Sequence, residues 1–437
     1  MPPAEAAPLA DGELEALFAP LAEASLIALA VSGGSDSLAL LDGIDRWRRG
    51  VGRPGVIVFT VDHRLRPQSG RDAAMVRKVA RARGLKTVVL VRDGPPPKSG
   101  IEAAARWARY RLLLGACRAA GASHLVLAHH RDDLAETFVL RLKRASGVFG
   151  LAAMRSSITA GEVTIVRPLL SLSKARLAAT AAAAGLVAVD DAMNDDPRFE
   201  RTRVRRMMPT FGALGLDADA LAASAQRLAA AADAIDAAAS DLIARAVSAD
   251  DCAVAWIEVP PLASAAAEVR LRALARVLIA VGGDDYPPRR ERLAALLDAI
   301  LAHAGGGRFK RTLAGAVIEW RSGRLAIYRE SGRKAPPTVA ARPGLAGTWD
   351  HRFHVEVGAG VPAGLSLGAL GEAGRRAIGR RAGTHPAGAI ATLPAFRRRG
   401  KIIAVPPLSY GPEGFSVVVR ALVGERLKTP PLFPDFG

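Results

Sequence analysis

The six residues 32–37, SGGSDS, are of the types needed to hold a magnesium pyrophosphate. Gly33 and Gly34 let the backbone come close to a ligand, and a helix beginning near Asp36 would offer unpaired N–H groups and its positive dipole end to an anion. The Asp36 carboxylate would repel a bare phosphate, so we expect a Mg2+ ion between them. Three serines add hydroxyl donors: Ser32, Ser35 and Ser37.

A tight turn is a simpler account of the same six residues, in which a serine or aspartate only caps the following helix. Six matching residues between a strand-like and a helix-like segment favour the pyrophosphate interpretation. The pattern lacks the lysine of a GxxxxGK[ST] loop and the spacing of GxGxxG, so neither of those motifs applies.

A second polar cluster follows a later apolar run and contains two histidines and three acidic residues: His129, His130, Asp132, Asp133 and Glu136. Asp133 and Glu136 are three positions apart and would share one face of a helix. Histidine and carboxylates at such spacing can bind zinc, although no distant ligand set completes a zinc site here. Acidic residues that only stabilise a helix N-terminus are the other alternative.

The elements that position these clusters are strand-like apolar runs that alternate with longer amphipathic segments between residues 25 and 191. The runs are LIALAV, GVIVFTVDH, KTVVLVR, HLVLAHH, TIVRPLL and LVAVDD. This alternation predicts an α/β fold with a doubly wound, Rossmann-like parallel sheet covered by helices on both faces. Ligands bind beyond the carboxyl ends of strands in such sheets, and both clusters follow strand ends.

The rest of the chain predicts two further domains. An alanine-rich helical pattern spans 217–247, two more helices follow at EVRLRALARVLIA and RRERLAALLDAILAH, and short strands follow Gly305. SGRKAPPTVAARPG reads as a linker before β-like pieces punctuated by Gly and Pro. We expect an α/β domain over 1–215, a mainly helical domain over 216–335 and a small α+β domain over 345–437.

Composition narrows the class of protein. The 437 residues carry a net charge of +18, which favours a polyanionic partner, although a genome that favours arginine would give the same surplus. Two distant cysteines, Cys117 and Cys252, argue against a zinc ribbon or a disulfide framework. We expect a cytoplasmic protein, since no long apolar run appears and acids stand where a signal peptide needs basic residues.

Residues 32–37 resemble the SGGxDS loop of the PP-loop family, the N-type ATP pyrophosphatases. Further segments are similar to one branch of that family, the tRNA(Ile)-lysidine synthetases: VDHRLRPQSG, SGIEAAARWARYRLL, LAHHRDDLAETFVLRLKRASGVFGLAAM and DDAMNDDPRFERTRVRRMMP. The resemblance is strong over the first half of the chain and weaker beyond it. Two departures are Ala145, where the family usually has Gly, and Ala192-Met193, where it has Pro-Ser.

This resemblance implies ATP-dependent ligation of free L-lysine to carbon 2 of the wobble cytidine in isoleucine tRNA with a CAU anticodon. An adenylated cytidine would be the intermediate, and lysidine, AMP and pyrophosphate the products. ATP and Mg2+ are the implied cofactors, with Asp36 as Mg2+ ligand. The implied ATP-binding residues are Ser32, Gly33, Gly34, Ser35, Asp36 and Ser37. The implied catalytic or lysine-binding residues are His129, Asp133, Glu136, Arg106 and Arg109.

Lysine chemistry fits the second cluster. A lysine ammonium has a reference pKa of about 10.4, so carboxylates must hold it and it must lose a proton before it attacks. Asp133 and Glu136 could form the negative pocket, and His129 or His130 could accept the proton. The sequence does not choose between the two histidines.

Several cationic residues have two interpretations each. Arg106 and Arg109 could hold phosphate or a substrate carboxylate, or lie on a solvated helix face. His63 could approach adenosine or be an ordinary loop histidine. A basic run could touch tRNA phosphates or be merely solvated: Arg201, Arg203, Arg205 and Arg206.

Three rival functions use the same features differently. A tRNA 2-thiolation enzyme would share the loop but would need sulfur carried by cysteines or a cluster. An ammonia-using synthetase acts on a small-molecule acceptor and would have no use for the basic second half of the chain. A non-enzymatic RNA-binding protein would have no use for the 32–37 loop and its Asp36. The sequence does not define the oligomeric state, and a homodimer is compatible with it.

Overall fold

The computed structural model describes residues 6–62, 64, 69–92, 101–189, 196–283, 287–303, 308–332, 335–379 and 385–428, with backbone alone over 101–107. The chain forms two compact units, one that runs through Ala232 and one that begins at Asp233. The three domains predicted from the sequence, with their boundaries, stay a prediction.

The first unit is built on a six-stranded sheet. Its strands are β1 (Leu26–Ala30), β2 (Gly55–Asp62), β3 (Lys86–Val91), β4 (His124–Val126), β5 (Ser157–Ala160) and β6 (Val163–Val166). Their order is β3-β2-β1-β4-β6-β5, and every neighbouring pair is parallel except β5 with β6. The predicted parallel α/β sheet is confirmed, with one antiparallel edge strand.

Helices connect and cover these strands. They are α1 (Asp11–Phe18), α2 (Ser35–Trp47), α3 (Ser69–Ala82), α4 (Ile101–Ala120), α5 (Arg131–Lys143), α6 (Val148–Leu151), α7 (Lys174–Ala183) and α8 (Glu200–Ala213). The core packs apolar residues of α1, α2 and α7 against β1 and β2, with Ile27, Leu29, Leu41 and Leu177 fully buried. Continuous apolar strands are the pattern expected where both faces of a parallel sheet are covered.

One predicted strand is wrong within the described residues. LVAVDD was expected to be a strand, but residues 186–189 form none. Val187 is largely exposed, so the run does not join the buried sheet. Val189 instead donates its backbone N–H to the carbonyl of Gly33 at 2.9 Å, which fixes the segment beside the 32–37 loop.

The second unit combines helices with antiparallel sheets. Helix α9 (Ala218–Ala246) enters it from the first unit, and the helices that follow are α10 (Val259–Ser264), α11 (Ala267–Gly282), α12 (Arg290–Ala302), α13 (Gly371–Ile378), α14 (Ala387–Ala391) and α15 (Val423–Lys428). A five-stranded sheet contains β7 (Val247–Ala249), β8 (Ala255–Ile257), β9 (Lys310–Leu313), β10 (Ala316–Arg321) and β11 (Arg324–Arg329). The long helices predicted at 217–247, at EVRLRALARVLIA and at RRERLAALLDAILAH are therefore present as α9, α11 and α12.

Two smaller sheets complete the second unit. One contains β12 (Val339–Ala340), β15 (Leu365–Ala369), β16 (Pro394–Arg398) and β17 (Lys401–Ala404), and the other contains β13 (Ala346–Trp349), β14 (Phe353–Val357) and β18 (Val417–Ala421). One cluster of buried apolar side chains extends from Ala239 to Leu427. The segments predicted as helical and C-terminal domains thus share buried apolar surface.

Asp250 is a hydrogen-bonding hub of the second unit. One carboxylate oxygen accepts the backbone N–H groups of Cys252 (3.0 Å) and Val254 (3.1 Å). The other lies 2.7 Å from Nε1 of Trp256 and 3.0 Å from Nε2 of His385. Asp250, Cys252 and His385 are close enough to hold a metal ion, but these four contacts already account for both oxygens.

Replacing Asp250 by alanine is expected to lower the free energy of unfolding by about 2 kcal/mol, because several donors lose their acceptor at once. Urea denaturation followed by tryptophan fluorescence measures this loss. Asp251→Ala, at an exposed neighbouring position, is the matched control. Equal midpoints for the two variants would show that the hub contributes no stability.

Candidate active site

The loop between β1 and α2 folds around the hydroxyl of Ser37. This buried hydroxyl accepts the backbone N–H groups of Ser32 (3.2 Å) and Gly33 (3.1 Å) and donates to the carbonyl of Gly34 (2.9 Å). The structure thus gives Ser37 a role in shaping the loop. Gly34 is the N-cap of α2 and makes no side-chain hydrogen bond to the helix, which is an arrangement that suits anion binding at a helix N-terminus.

Gly33 is the position where the loop requires glycine. Its φ is +94°, in the left-handed region that side chains disfavour. A Cβ built there would lie 3.2 Å from Val189, 3.3 Å from Met75 and 3.4 Å from Val76. A side chain at this position would therefore meet both a strained backbone and close neighbours.

A cavity of about 310 Å³ lies beyond the carboxyl ends of β1, β2 and β4. Residues from both predicted clusters line it, together with Arg109 of α4: Ser32, Gly34, Asp36 and Ser37 from the first, and His129 and Asp133 from the second. These residues are far apart in sequence, and the order β2-β1-β4 brings their strand ends together. The expected position of a ligand site at this sheet edge is therefore matched by a cavity.

His130 lies at the N-terminus of α5, almost fully buried among three carboxylates. Its Nε2 is 3.4 Å from Oδ2 of both Asp36 and Asp133, and its Nδ1 is 3.6 Å from Oδ2 of Asp132. Burial lowers the pKa of this imidazole, but Asp132, Asp133 and Asp36 outweigh burial and raise the pKa to about 10. The raised pKa favours the charged form of this imidazole, while its Nδ1 also lies 3.4 Å from the backbone nitrogen of Asp133.

Asp36 stands where the 32–37 loop meets this cluster. Burial raises the pKa of its carboxyl, but the hydrogen bond and charge of His130 outweigh burial and leave that pKa lowered. Three carboxylates surround the His130 imidazole, and one of them, Asp133, also accepts a hydrogen bond from Arg201. An ionised carboxylate on the wall of a cavity is a ligand of the kind that Mg2+ prefers, and these residues fit the ion.

Asp133 and Glu136 are bound to two arginines of α8. Arg201 donates from Nε to Glu136 (2.7 Å) and from Nη2 to Asp133 (2.7 Å), while Arg205 donates from Nε to the other oxygen of Glu136 (2.7 Å). Burial raises the pKa of Glu136, but Arg205 and Arg201 outweigh it and leave that pKa lowered. Both oxygens of the buried Glu136 are used inside the protein, and Asp133 is the member of the pair that lines the cavity.

The arginines of the basic run in α8 differ in exposure and in hydrogen-bond partners. The guanidinium groups of Arg201 and Arg205 lie on Glu136, whereas Arg203 is exposed and donates from Nη1 to two carbonyls before the helix, at 3.0 Å each. Contact of these three arginines with tRNA stays a prediction. Arg201 and Arg205 would first have to leave Glu136.

His129 lines the cavity, and its Nδ1 lies 3.1 Å from Nε of Arg167. Arg167 follows β6 and is 1% exposed. The sequence predicts a strand at TIVRPLL, and Arg167 is not among the predicted site residues. The available signal was a charged residue at the end of an otherwise apolar strand.

The remaining predicted residues have separate outcomes. Arg109 lines the cavity, and its guanidinium carbon is 5.6 Å from the centroid of the Tyr110 ring. Arg106 belongs to α4, but its side chain lies outside the described residues, as does His63. Their roles stay predictions.

Ala145 terminates α5 in a left-handed conformation, with φ +49°. The N–H of Ala145 bonds to the carbonyl of Leu142 (2.9 Å) and that of Ser146 to the carbonyl of Arg141 (3.1 Å). These two bonds form a Schellman motif, whose left-handed position is usually glycine. Alanine is therefore accommodated at this position in a Schellman motif, with some backbone strain.

Replacing Ala145 by glycine is expected to raise the free energy of unfolding by about 1 kcal/mol, because glycine has no penalty in the left-handed region. Thermal or urea unfolding measures the gain. Ala231→Gly, at an exposed helical position of α9, should show the opposite sign. A loss of stability in Ala145→Gly would contradict the strain argument.

Comparison with known proteins agrees with this geometry. Residues 8–211 match the family model of the PP-loop domain, a class that uses ATP. The tRNA(Ile)-lysidine synthase of Bradyrhizobium sp. strain BTAi1 is 45% identical over 71% of this chain and 92% of that protein, and the one of Rhodopseudomonas palustris is 42% identical over 74% and 95%. The chain belongs to the tRNA(Ile)-lysidine synthase family.

Among solved structures, the U34-tRNA thiolase NcsA from Methanococcus maripaludis is similar with a TM-score of 0.44 at 14% identity. The similarity covers 50% of this chain and 77% of that one. A similarity of this size is too weak to support a functional assignment, which comes from the sequence relatives.

Proposed function

We propose that this protein ligates lysine to carbon 2 of the wobble cytidine in isoleucine tRNA with a CAU anticodon. The observation that carries the proposal is the convergence of both polar clusters on one cavity in a chain of this family. Lysidine, AMP and pyrophosphate are the products.

The first step forms a bond between the cytidine 2-oxygen and the α-phosphorus of ATP while pyrophosphate leaves. We assign the 32–37 loop to the departing pyrophosphate, because the N–H groups at the start of α2 are donors suited to an anion. In the second step the lysine amine bonds to carbon 2 and AMP leaves. The reacting base must leave any stack to enter the cavity.

Asp36 is the residue that would hold Mg2+. When bound, the ion would offset the negative charge of the phosphates. His130 keeps the Asp36 carboxylate in place and ionised.

Asp133 is the carboxylate we assign to the lysine ammonium, because it lines the cavity. Glu136 acts behind it by holding Arg201, which in turn donates to Asp133. Arg109 is the candidate on the cavity wall for a phosphate or for the carboxylate of lysine.

The net charge of +18 supports a polyanionic substrate, and we assign the second unit to tRNA binding. Within the described residues, no helix combines the length and apolar character needed to cross a bilayer. A cytoplasmic location and a homodimer remain parts of the proposal that await measurement.

A tRNA thiolation enzyme is the second candidate, because it would share the adenylation step. Burial raises the pKa of the Cys117 thiol to about 11, and burial with Asp250 and Asp251 nearby raises that of Cys252 to about 12. Both buried thiols are therefore protonated near neutral pH, which disfavours sulfur transfer through them. Retained activity after replacing both by alanine would dispose of this candidate.

Incubation with ATP, labelled lysine and isoleucine tRNA bearing a CAU anticodon tests the proposal. Label should enter the tRNA, survive alkaline deacylation and persist when the terminal ribose has been oxidised. The matched control is the same tRNA with uridine at the wobble position, which should take up no label. Transfer to the terminal ribose, or transfer that ignores the wobble base, would contradict the assignment.

A further inference from the structure

We infer that Arg167 is a positioning residue that holds His129 as a hydrogen-bond donor to the nucleotide, through its Nε2–H, and not as the base. This inference rests on the proposed function and names a role for a residue that the motifs did not indicate. Four contacts and one rule of imidazole chemistry carry it.

The pairing of β4 with β6 brings the two residues together. Val126 is the register partner of Val166, and Leu127 donates its N–H to the carbonyl of Val166 at 2.9 Å. The residues that follow the two strands therefore leave the sheet side by side. His129 and Arg167 belong to these two following segments.

The Arg167 side chain is held from several directions. Its Nη1 donates to the carbonyl of Arg155 at 2.8 Å, and its backbone N–H donates to the carbonyl of Ser156 at 2.7 Å. The side chain is almost fully buried, and its Nε donates to Nδ1 of His129 at 3.1 Å. A guanidinium fixed in this way holds Nδ1 of the imidazole at a defined place.

The donor on Arg167 decides where the hydrogen of His129 lies. A guanidinium is always protonated and accepts no hydrogen bond, so Nδ1 of His129 must present its lone pair. A neutral imidazole has one N–H, which is then at Nε2. If Nδ1 of His129 carried a hydrogen, that N–H would face the Nε–H of Arg167 and no hydrogen bond could form.

This tautomer determines what the ring can do in the cavity. Nε2–H is the one donor the neutral ring can offer, and no ring nitrogen is left to accept a proton. A donor on the wall of a site where phosphate charge changes can stabilise the departing pyrophosphate or AMP. The proton of the lysine ammonium must then leave through an acceptor other than His129.

The tautomer can be observed without any reaction. In the full-length protein with 15N-labelled histidine, the His129 signals are identified among eight histidines as those lost in His129→Gln. We expect a protonated Nε2 and an unprotonated Nδ1 at neutral pH. Arg167→Met should give a mixture of tautomers, whereas Arg176→Met, which removes an arginine paired with Glu13, should leave the His129 signals unchanged. A protonated Nδ1 in the unmodified protein would overturn the inference.

Kinetics separate a donor from a base. A glutamine amide can donate near the Nε2 position but cannot accept a proton, so His129→Gln should recover most of the loss of about 10²-fold in kcat that His129→Ala produces. Equal losses in the two variants would overturn the donor role. Arg167→Met should lower kcat more than it raises KM for ATP, and Arg167→Lys should restore part of kcat. An unchanged kcat in a folded Arg167→Met variant would also overturn the inference.

The two proposals fail in different ways. Absence of lysine transfer by the unmodified protein would overturn the proposed function, while the NMR signals would still report the tautomer. A protonated Nδ1 together with normal lysine transfer would overturn the role of Arg167 alone.

Discussion

Replacing Asp36 by asparagine is expected to lower kcat for tRNA-dependent pyrophosphate release by about 10²- to 10³-fold. Asparagine keeps the size of the side chain and part of its hydrogen bonding but removes the ionised carboxylate from the cavity wall. That charge is what we expect to bind Mg2+ beside the phosphates. Pyrophosphate release is measured at saturating ATP and lysine over a series of Mg2+ concentrations. This series gives kcat and the Mg2+ concentration at half-maximal rate, and the latter should rise.

The same substitution should destabilise the fold only slightly. Burial raises the pKa of the Asp36 carboxyl, but His130 leaves it lowered in the folded protein, so loss of its charge costs some stability, which the hydrogen bonding of asparagine partly offsets. We expect a slightly lower temperature of unfolding for Asp36→Asn. Asp219→Asn, which removes an exposed charge paired with Arg131 in the same unit, is the matched control and should keep its kcat. A fall in kcat smaller than threefold for Asp36→Asn would remove Asp36 from the proposed mechanism.

The sequence predicts the parts of this site that local pattern determines. The predicted runs LIALAV and HLVLAHH contain strands, which end at Ala30 and Val126, and glycine at 33 allows the positive φ that the loop requires. Because parallel strands end at one sheet edge, the loop and the His129 segment were expected to lie close together. A common cavity follows from strand order and needs no knowledge of side-chain contacts.

The pairing of side chains was not predictable in the same way. Glu136 binds Arg201 and Arg205, which are 65 and 69 positions away, so the contact depends on how α8 packs against α5. A basic run and an acidic pair look alike in sequence whether they meet each other or meet ligands. Arg167 was missed for a related reason, since its role appears only when β4 and β6 pair.

Replacing Glu136 by glutamine is expected to lower the free energy of unfolding by about 3 kcal/mol at pH 7. Glu136 is 2% exposed and accepts a hydrogen bond on each oxygen from a different arginine. Glutamine would turn its NH2 group towards one of the two guanidinium groups. One buried hydrogen bond is then replaced by a contact between two N–H donors. The free energy of unfolding from urea titration at pH 7 measures the loss.

The pH dependence of this loss has a definite sign. In the folded protein the pKa of Glu136 is lowered below the ordinary value of 4.5, which the unfolded chain retains. The stabilisation from its charge is therefore complete above pH 4.5 and disappears as the pH falls through the lower folded value. The difference between the unmodified protein and Glu136→Gln should remain constant from pH 7 to pH 5.5 and shrink below pH 4.5.

Glu200→Gln is the matched control for this prediction. The pKa of Glu200 is lowered to about 2 by its hydrogen bonds to Lys143 and Arg144, yet both partners are more than half exposed. Solvent screens such pairs, so we expect a loss below about 1 kcal/mol. Glu136→Gln should also raise KM for lysine, because Arg201 would no longer be fixed against Asp133, whereas Glu200→Gln should not. Equal losses of stability in the two variants, or an unchanged KM for lysine in Glu136→Gln, would show that burial of the Glu136 pair does not organise the lysine site.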